Sequence, residues 1–392
     1  MLYKEDKYSN KLSRLGFGCM RFQRNAGIID LKEAEREILH AIELGVNYFD
    51  TAYIYPGCET AVGKVLAKNG CREKVYLASK LPPYLVKKLD DADRIFDETL
   101  SRLQTDYIDY YLMHMLTDLA TWERMKLLGI EEWIEKNKRS GRIRQIGFSY
   151  HGSSSEFIRV LEAYPWDFCQ IQYNYMDEHT QGGRAGLERA QELGIPVIIM
   201  EPLRGGRLVR NLPAAVEKAF GSYKVKRSPA EWSFRWLYDQ AGVTVVLSGM
   251  NSVEMIDENV RVASESDVGC VTDDERDIYR RVVKIFEEKI KVGCTGCSYC
   301  MPCPAGVDIP GAFSAYNRSY SDSYFHGLRE YFMGTAMRKK QSYASLCIGC
   351  GKCESHCPQQ IAVRDQLKNV KKRFENPIFK CAAVVGRKLY DK

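Results

Sequence analysis

The chain is short of several features that would settle its class at once. No stretch approaches the ~18 consecutive apolar residues that a membrane helix needs, so no membrane span is expected. The opening MLYKEDKYSNKLSR has no apolar core of the secretory kind and is too acidic for an organelle transit peptide, which makes the cytoplasm the expected location. No G-x-G-x-x-G follows the first predicted strand, where Gly16 and Gly18 fail to complete the fingerprint, and this excludes a Rossmann domain. The C-terminal end is basic but shows no regular interleaving of aromatic and basic residues, so nucleic acid is not expected as a partner. A flavin motif is likewise missing.

What is present belongs to an ordinary folded protein, with 45% apolar and 28% charged residues. A chain of 392 residues exceeds what one hydrophobic core usually serves, so a large domain over 1–290 and a smaller one over 291–392 are expected. The net charge of +6 hides an asymmetry: residues 291–392 carry 16 Lys and Arg against 7 Asp and Glu, and the remainder is slightly acidic.

The cysteines explain that asymmetry. Eight of the 14 fall in two blocks, Cys294, Cys297, Cys300 and Cys303, then Cys347, Cys350, Cys353 and Cys357. Such spacing in a cytosolic protein favours chelation over disulfides. Structural zinc takes two C-x2-C pairs, whereas each block here runs C-x2-C-x2-C to a fourth Cys followed by Pro304 or Pro358, the pattern of a two-cluster ferredoxin. In such proteins the Cys before Pro ligates the other cluster. One 4Fe-4S cluster is then expected on Cys294, Cys297, Cys300 and Cys357, the other on Cys347, Cys350, Cys353 and Cys303. The first block departs from the pattern with x2 instead of x3 before Cys303. Two clusters bring about four negative charges, which nearby Lys and Arg offset. Cys19, Cys58, Cys71, Cys169, Cys270 and Cys381 are expected to be packing residues.

Ahead of these blocks, short runs rich in β-branched and aromatic residues alternate with stretches of helical period, the mark of βα units around a parallel sheet. Eight runs can be counted: 15–21, 46–52, 75–80, 107–114, 144–150, 168–174, 196–203 and 243–249. The expected fold is therefore α/β, a (β/α)8 TIM barrel, followed by a small, mainly helical ferredoxin-like domain. Between the first two runs, Asp30 is placed to cap a helix that Gly45 ends. Asp50, Lys80, His114, Ser149, Gln172, Glu201 and Ser248 fall at or near the C-terminal ends of successive runs, the face where such barrels carry their active sites.

Those residues suit carbonyl reduction. Hydride delivery to a carbonyl needs an acid for the nascent alkoxide, and Tyr55, in the loop DTAYIYPGCE, is the candidate. A free phenol titrates near 10, so an adjacent ammonium is needed, and Lys80 can supply it. Asp50 would keep Lys80 charged and in place, and His114 would orient the substrate oxygen. Tyr53, Cys58 and Glu59 are expected to be loop scaffolding.

With DTAYIY, LASK and LMH in these positions, residues 10–265 resemble the aldo/keto reductases, whose Asp, Tyr, Lys and His tetrad they match. The resemblance implies an NADP(H) or NAD(H) cofactor extended across the barrel mouth. It would place Met20 on the cofactor and Ser149 and Gln172 on the carboxamide. Pro202, Leu203, Gly205 and Gly206 would border the pyrophosphate, and Ser248, Gly249, Met250 and Asn259 the adenosine end. Tyr150 stands where many relatives have Asn, and SGMNSVEMIDEN lacks the Lys and Arg that often grip a 2′-phosphate; Arg204, Arg207 or Arg261 are the alternatives. Together with CTGCSYCMPCP and CIGCGKCESHCPQ, the chain is similar to ferredoxin-appended aldo/keto reductases of anaerobic microbes. The 43 residues between the Cys blocks are expected to be largely helical, with Tyr316, Tyr324 and Phe325 either closing the substrate pocket or clasping the clusters.

The expected activity is interconversion of a small-molecule carbonyl and alcohol by hydride transfer. A hydride carries two electrons and a 4Fe-4S centre passes one, so the clusters are expected to stiffen the tail or to serve an external one-electron partner, without being obligatory for carbonyl reduction. Two other readings stay open: an electron-transfer or redox-sensing protein using the barrel as a nicotinamide scaffold, and a regulatory subunit.

Overall fold

In a computed structural model of the chain, which describes residues 1–321, 323–337, 340–380 and 382–383, two compact units form. The first comprises Met1–Pro202 with Ser228–Thr272, the second Leu203–Arg227 with Asp273–Lys392. In place of a single cut near 290, the segment 203–227 and the helix from Asp273 gather with the cysteine-bearing part. Cys381 lies outside the described residues.

The first unit opens with a hairpin, β1 (Tyr3–Glu5) and β2 (Lys11–Ser13). Eight parallel strands follow: β3 (Leu15–Gly18), β4 (Tyr48–Asp50), β5 (Tyr76–Leu81), β6 (Ile108–Leu116), β7 (Ile143–Tyr150), β8 (Phe168–Gln172), β9 (Val197–Met200) and β10 (Val243–Ser248). They close into a barrel in chain order, β10 pairing with β3. Strands buried on both faces read as near-continuous apolar runs, which is why eight such runs were countable in the sequence. Tyr48, Tyr110, Phe168 and Val245 fill the barrel interior, with Tyr110 5.1 Å from both Tyr48 and Phe168, ring centre to ring centre. A Cβ on Gly16 would lie 2.7 Å from Leu247 and 2.8 Å from Val245, so this lining admits glycine alone there.

Around the strands run α1 (Leu31–Glu43), α2 (Cys58–Lys68), α3 (Leu89–Leu103), α4 (Leu119–Leu127), α5 (Ile130–Arg139), α6 (Ser154–Glu162) and α7 (Gly183–Glu192). Asp30 caps α1 as expected, accepting from the amides of Lys32 and Glu33, and Gly45 leaves the helix at φ +89°. After α8 (Ala214–Gly221), which belongs to the second unit, α9 (Pro229–Tyr238) and α10 (Val253–Glu265) complete the first.

The second unit is helical. α8 packs on α11 (Asp273–Lys289), where Arg227 pairs with the buried Glu275. α12 (Ile309–Ser321), α13 (Tyr324–Tyr331), the single turn α14 (Lys352–Ser355) and α15 (Val363–Phe374) surround a core of Val307, Phe313, Tyr331, Leu367 and Phe374. Tyr316 and Tyr324 pack against Phe374 inside this unit, while Phe325 is 76% exposed. Among the described residues no helix is long and apolar enough to cross a membrane.

Candidate active site and cluster sites

Asp50 is the last residue of β4, Lys80 lies next to the end of β5, and His114 sits near the end of β6, so barrel closure gathers them at one mouth. Lys80 is wholly buried, and its ammonium donates to both oxygens of Asp50 at 2.6 and 2.7 Å and to the Thr51 carbonyl at 2.7 Å. Three acceptors match the three N–H bonds of an ammonium, the condition for keeping a charge inside a protein. Burial pushes the Asp50 carboxyl up from its ordinary value, and the adjoining ammonium opposes that shift.

Tyr55 lies in the loop after β4, held by a turn in which its amide donates to the Ala52 carbonyl at 3.0 Å. The Lys80 ammonium lies 5.4 Å from the centre of its ring, and the His114 ring meets it edge-on at 6.0 Å. His114 is buried, and burial, followed by the positive charge of Lys80 and the neighbouring His151, pushes its imidazole well below the usual value; it is neutral at physiological pH.

A local irregularity aims His114. The β6–β7 register shifts between Met113 and Leu116, Met115 adopts φ +57°, and its amide donates to Ser149 Oγ at 2.9 Å. A bulge of this kind re-aims side chains at a strand end.

The residues expected at the cofactor fall in three groups. Ser149 ends up beside the bulge. Gln172, buried at the end of β8, donates to Asp177 at 2.8 Å and accepts from Gln181 at 3.2 Å. At the end of β10, Ser248 Oγ accepts from Asn259 at 3.0 Å, Met250 is buried, and a Cβ on Gly249 would lie 2.6 Å from Arg21 Cγ. Met20 is half-buried in the turn after β3, and Pro202 is buried two residues beyond β9. Leu203, Gly205 and Gly206 belong to the second unit, as do Arg204 and Arg207. Arg261 is engaged by Glu231 at 2.6 Å and Glu265 at 2.9 Å.

Two residues change meaning in the structure. Tyr150 faces the outer layer, where its hydroxyl donates to the Ser153 carbonyl at 2.6 Å and its ring packs on Phe157. His151, on the opposite face with Ser149, was not expected: it is 6% exposed, burial pushes it down to about 4, and its Nδ1 is buried without a hydrogen-bond partner. Strand alternation was the available signal, since Ser149 and His151 are two apart.

In the second unit the eight cysteines separate into two rings. Cys294, Cys297, Cys300 and Cys357 line one apolar pocket, and Cys303, Cys347, Cys350 and Cys353 another. Among the described residues no three His, Cys, Asp or Glu side chains close to the spacing of a single bound ion. Four thiols around one apolar pocket fit a polynuclear cluster.

Residues 14–269 match the model of the aldo/keto reductase family, and residues 293–362 that of the 4Fe-4S dicluster domain. The chain belongs to the aldo/keto reductase family. A C-terminal dicluster ferredoxin-like domain follows its reductase barrel. Among its relatives, aldo-keto reductase str7 of Strobilurus tenacellus is 25% identical over 64% of this chain and 84% of that protein. The uncharacterized oxidoreductase YrpG of Bacillus subtilis is 31% identical over 50% of this chain and 65% of that protein. Of solved structures, the holo form of aldo-keto reductase AKR11C1 from Bacillus halodurans superposes with a TM-score of 0.59 at 26% identity, over 72% of this reductase and 96% of that chain. An aldo-keto reductase from Klebsiella pneumoniae in complex with NADPH gives 0.58 at 22% identity, over 72% and 95%.

Proposed function

We propose that this reductase interconverts a small-molecule carbonyl and its alcohol, with Tyr55 as the proton donor. The carrying observation is the juxtaposition of a fully buried, fully hydrogen-bonded ammonium with the ring of Tyr55 and a neutral imidazole. NADP(H), when bound, supplies the hydride. Positive charge beside the Tyr55 ring favours the phenolate that forms as the proton leaves. Asp50 holds that charge in position, so Lys80 loses no freedom as the proton moves. Neutral His114 retains a ring N–H with which to orient the substrate oxygen.

Ser149 and Gln172 would hold the carboxamide of the nicotinamide, and Ser248, Gly249, Met250 and Asn259 the adenosine end. Buried amide and hydroxyl groups at the strand ends fit a polar, extended ligand, and the NADPH bound by the Klebsiella pneumoniae reductase supports the phosphorylated cofactor. Arg21, beside Gly249, offers a guanidinium for its phosphate. The two rings of cysteines would hold two 4Fe-4S clusters that stiffen the tail or serve an external one-electron partner.

Purified holoprotein assayed anaerobically with NADPH, NADH and a panel of aldehydes and ketones tests this reading against an electron carrier. Carbonyl-dependent NADPH oxidation is expected. Electron exchange with a viologen dye without any carbonyl turnover would favour the carrier instead.

A further inference from the structure

The two cysteine blocks open with the same pattern, Cys-x-Gly-Cys, but present it differently to water. In the first, Thr295 is 3% exposed; in the second, Ile348 at the matching position is 72% exposed, and Gly349 and Cys350 after it are exposed as well. An apolar side chain thus stands in solvent between two thiols of one ring. Cys347 and Gly349 share a surface concavity with Arg364, Asp365, Lys368 and Lys371 of α15. Steps of four and three residues set the three cations on one face of that helix, while Val363, Val370 and Phe374 are buried. Arg364 is held by Glu354 at 2.7 and 2.9 Å and Lys368 by Asp365 at 2.8 Å, whereas Lys371 and Lys372 make no ion pair among the described residues. Residues 347–373 carry six Lys and Arg against two Asp and Glu, and the about two negative charges of a 4Fe-4S centre leave that excess positive.

We propose that this face is the docking surface for an acidic one-electron carrier protein, which exchanges electrons with the cluster held by Cys303, Cys347, Cys350 and Cys353. The inference rests on the dicluster reading above and names the place and charge of the external partner. The step is the reversible transfer of one electron between carrier and cluster: one is oxidised and the other reduced, with no bond or proton changed. Ile348 supplies an apolar centre and the cations of α15 a charged rim, the make-up of a small, transient interface in which charge governs the rate of encounter. Summed charge steers a partner even where single cations are paired. Electron transfer, unlike phosphate binding, requires the metal centre itself to approach the surface, and the exposed run Ile348, Gly349, Cys350 provides that approach.

The test is anaerobic stopped-flow mixing of the iron-loaded holoprotein with an acidic 2Fe-2S ferredoxin, the partner of lower potential being the one reduced beforehand. The second-order rate is expected to fall as salt is raised, and to fall ~10-fold or more at low salt when Lys368→Glu and Lys371→Glu are combined. Reduced methyl viologen, a small cation, should reduce the native protein and the double variant without such slowing. Should the double variant lose iron, Lys371→Gln alone provides a second arm, with a smaller drop in the same direction. A ferredoxin rate indifferent to salt and to both variants at full iron content would overturn the proposal, as would equal slowing of the viologen, which marks a damaged cluster loop. Loss of oligonucleotide or phosphatidylglycerol-vesicle binding in the double variant, with the ferredoxin rate intact, would assign the face to a phosphate-bearing partner, also against it. Iron-loaded protein that exchanges no electron with the ferredoxin would overturn the docking surface and leave the dicluster reading standing; a native protein that holds no iron would sink both.

Discussion

Lys80, His114 and His151 share the barrel mouth, and burial acts on the two imidazoles. Asp50 and Thr51 accept all three N–H bonds of Lys80. Burial lowers both histidines from their ordinary value, and for His151 it outweighs a hydrogen bond with Gln181 that acts the other way. This makes stability depend on pH with a definite sign. An unfolded histidine takes up a proton below about 6.5, whereas the folded chain resists it, so the native state binds fewer protons and loses stability as pH falls. For His151 the loss accumulates between about 6.5 and its folded value of about 4. Each histidine contributes at most about 1.4 kcal/mol per pH unit. Urea unfolding of the iron-loaded protein at pH 7.5 and 5.5 should show a smaller decline in His151→Phe than in the native protein; an equal decline would contradict the assignment.

Elements that bury both faces were legible in advance, and elements set by distant packing were not. All eight barrel strands lie within the apolar runs or extend them by a residue or two, because a strand covered on both sides must be apolar throughout. The start of α1 was equally readable, since Asp30 has a local task. At β6 the sequence marks His114 as the end, yet the strand continues to Leu116 through a bulge. That bulge depends on Ser149 of the neighbouring strand accepting from Met115, a partnership 34 residues apart that no local pattern announces. The same limit applied after β9. The sequence places Leu203, Gly205 and Gly206 at the pyrophosphate, but nothing in it announced that the packing of α8 on α11 groups segment 203–227 with the second unit. Tyr150 looked like a substitution at the cofactor, but alternation along β7 turns it outward and leaves His151 inward. The cysteine rings were legible almost completely, because four thiols at fixed short spacings leave few other chemistries.

For the whole molecule, the division of labour follows from where the groups lie. Asp50, Tyr55, Lys80 and His114 belong to one compact unit, and the eight cysteines to the other. A hydride moves two electrons together and a 4Fe-4S centre takes one, so the proposed carbonyl reduction would proceed without the clusters. Anaerobic removal of iron with a chelator should therefore leave carbonyl-dependent NADPH oxidation within about twofold in protein whose circular dichroism is retained, a margin of less than ~0.5 kcal/mol in barrier height. Loss of turnover with the fold preserved would place the clusters on the reaction path. The ammonium-assisted phenol is tested most directly by the anaerobic turnover of Tyr55→Phe, measured alongside its affinity for NADPH. Turnover is expected to fall by ~10²–10⁴ with NADPH binding unchanged, the range for removing a positioned acid. A variant that binds NADPH normally and reduces carbonyls at the native rate would contradict the role given to Tyr55.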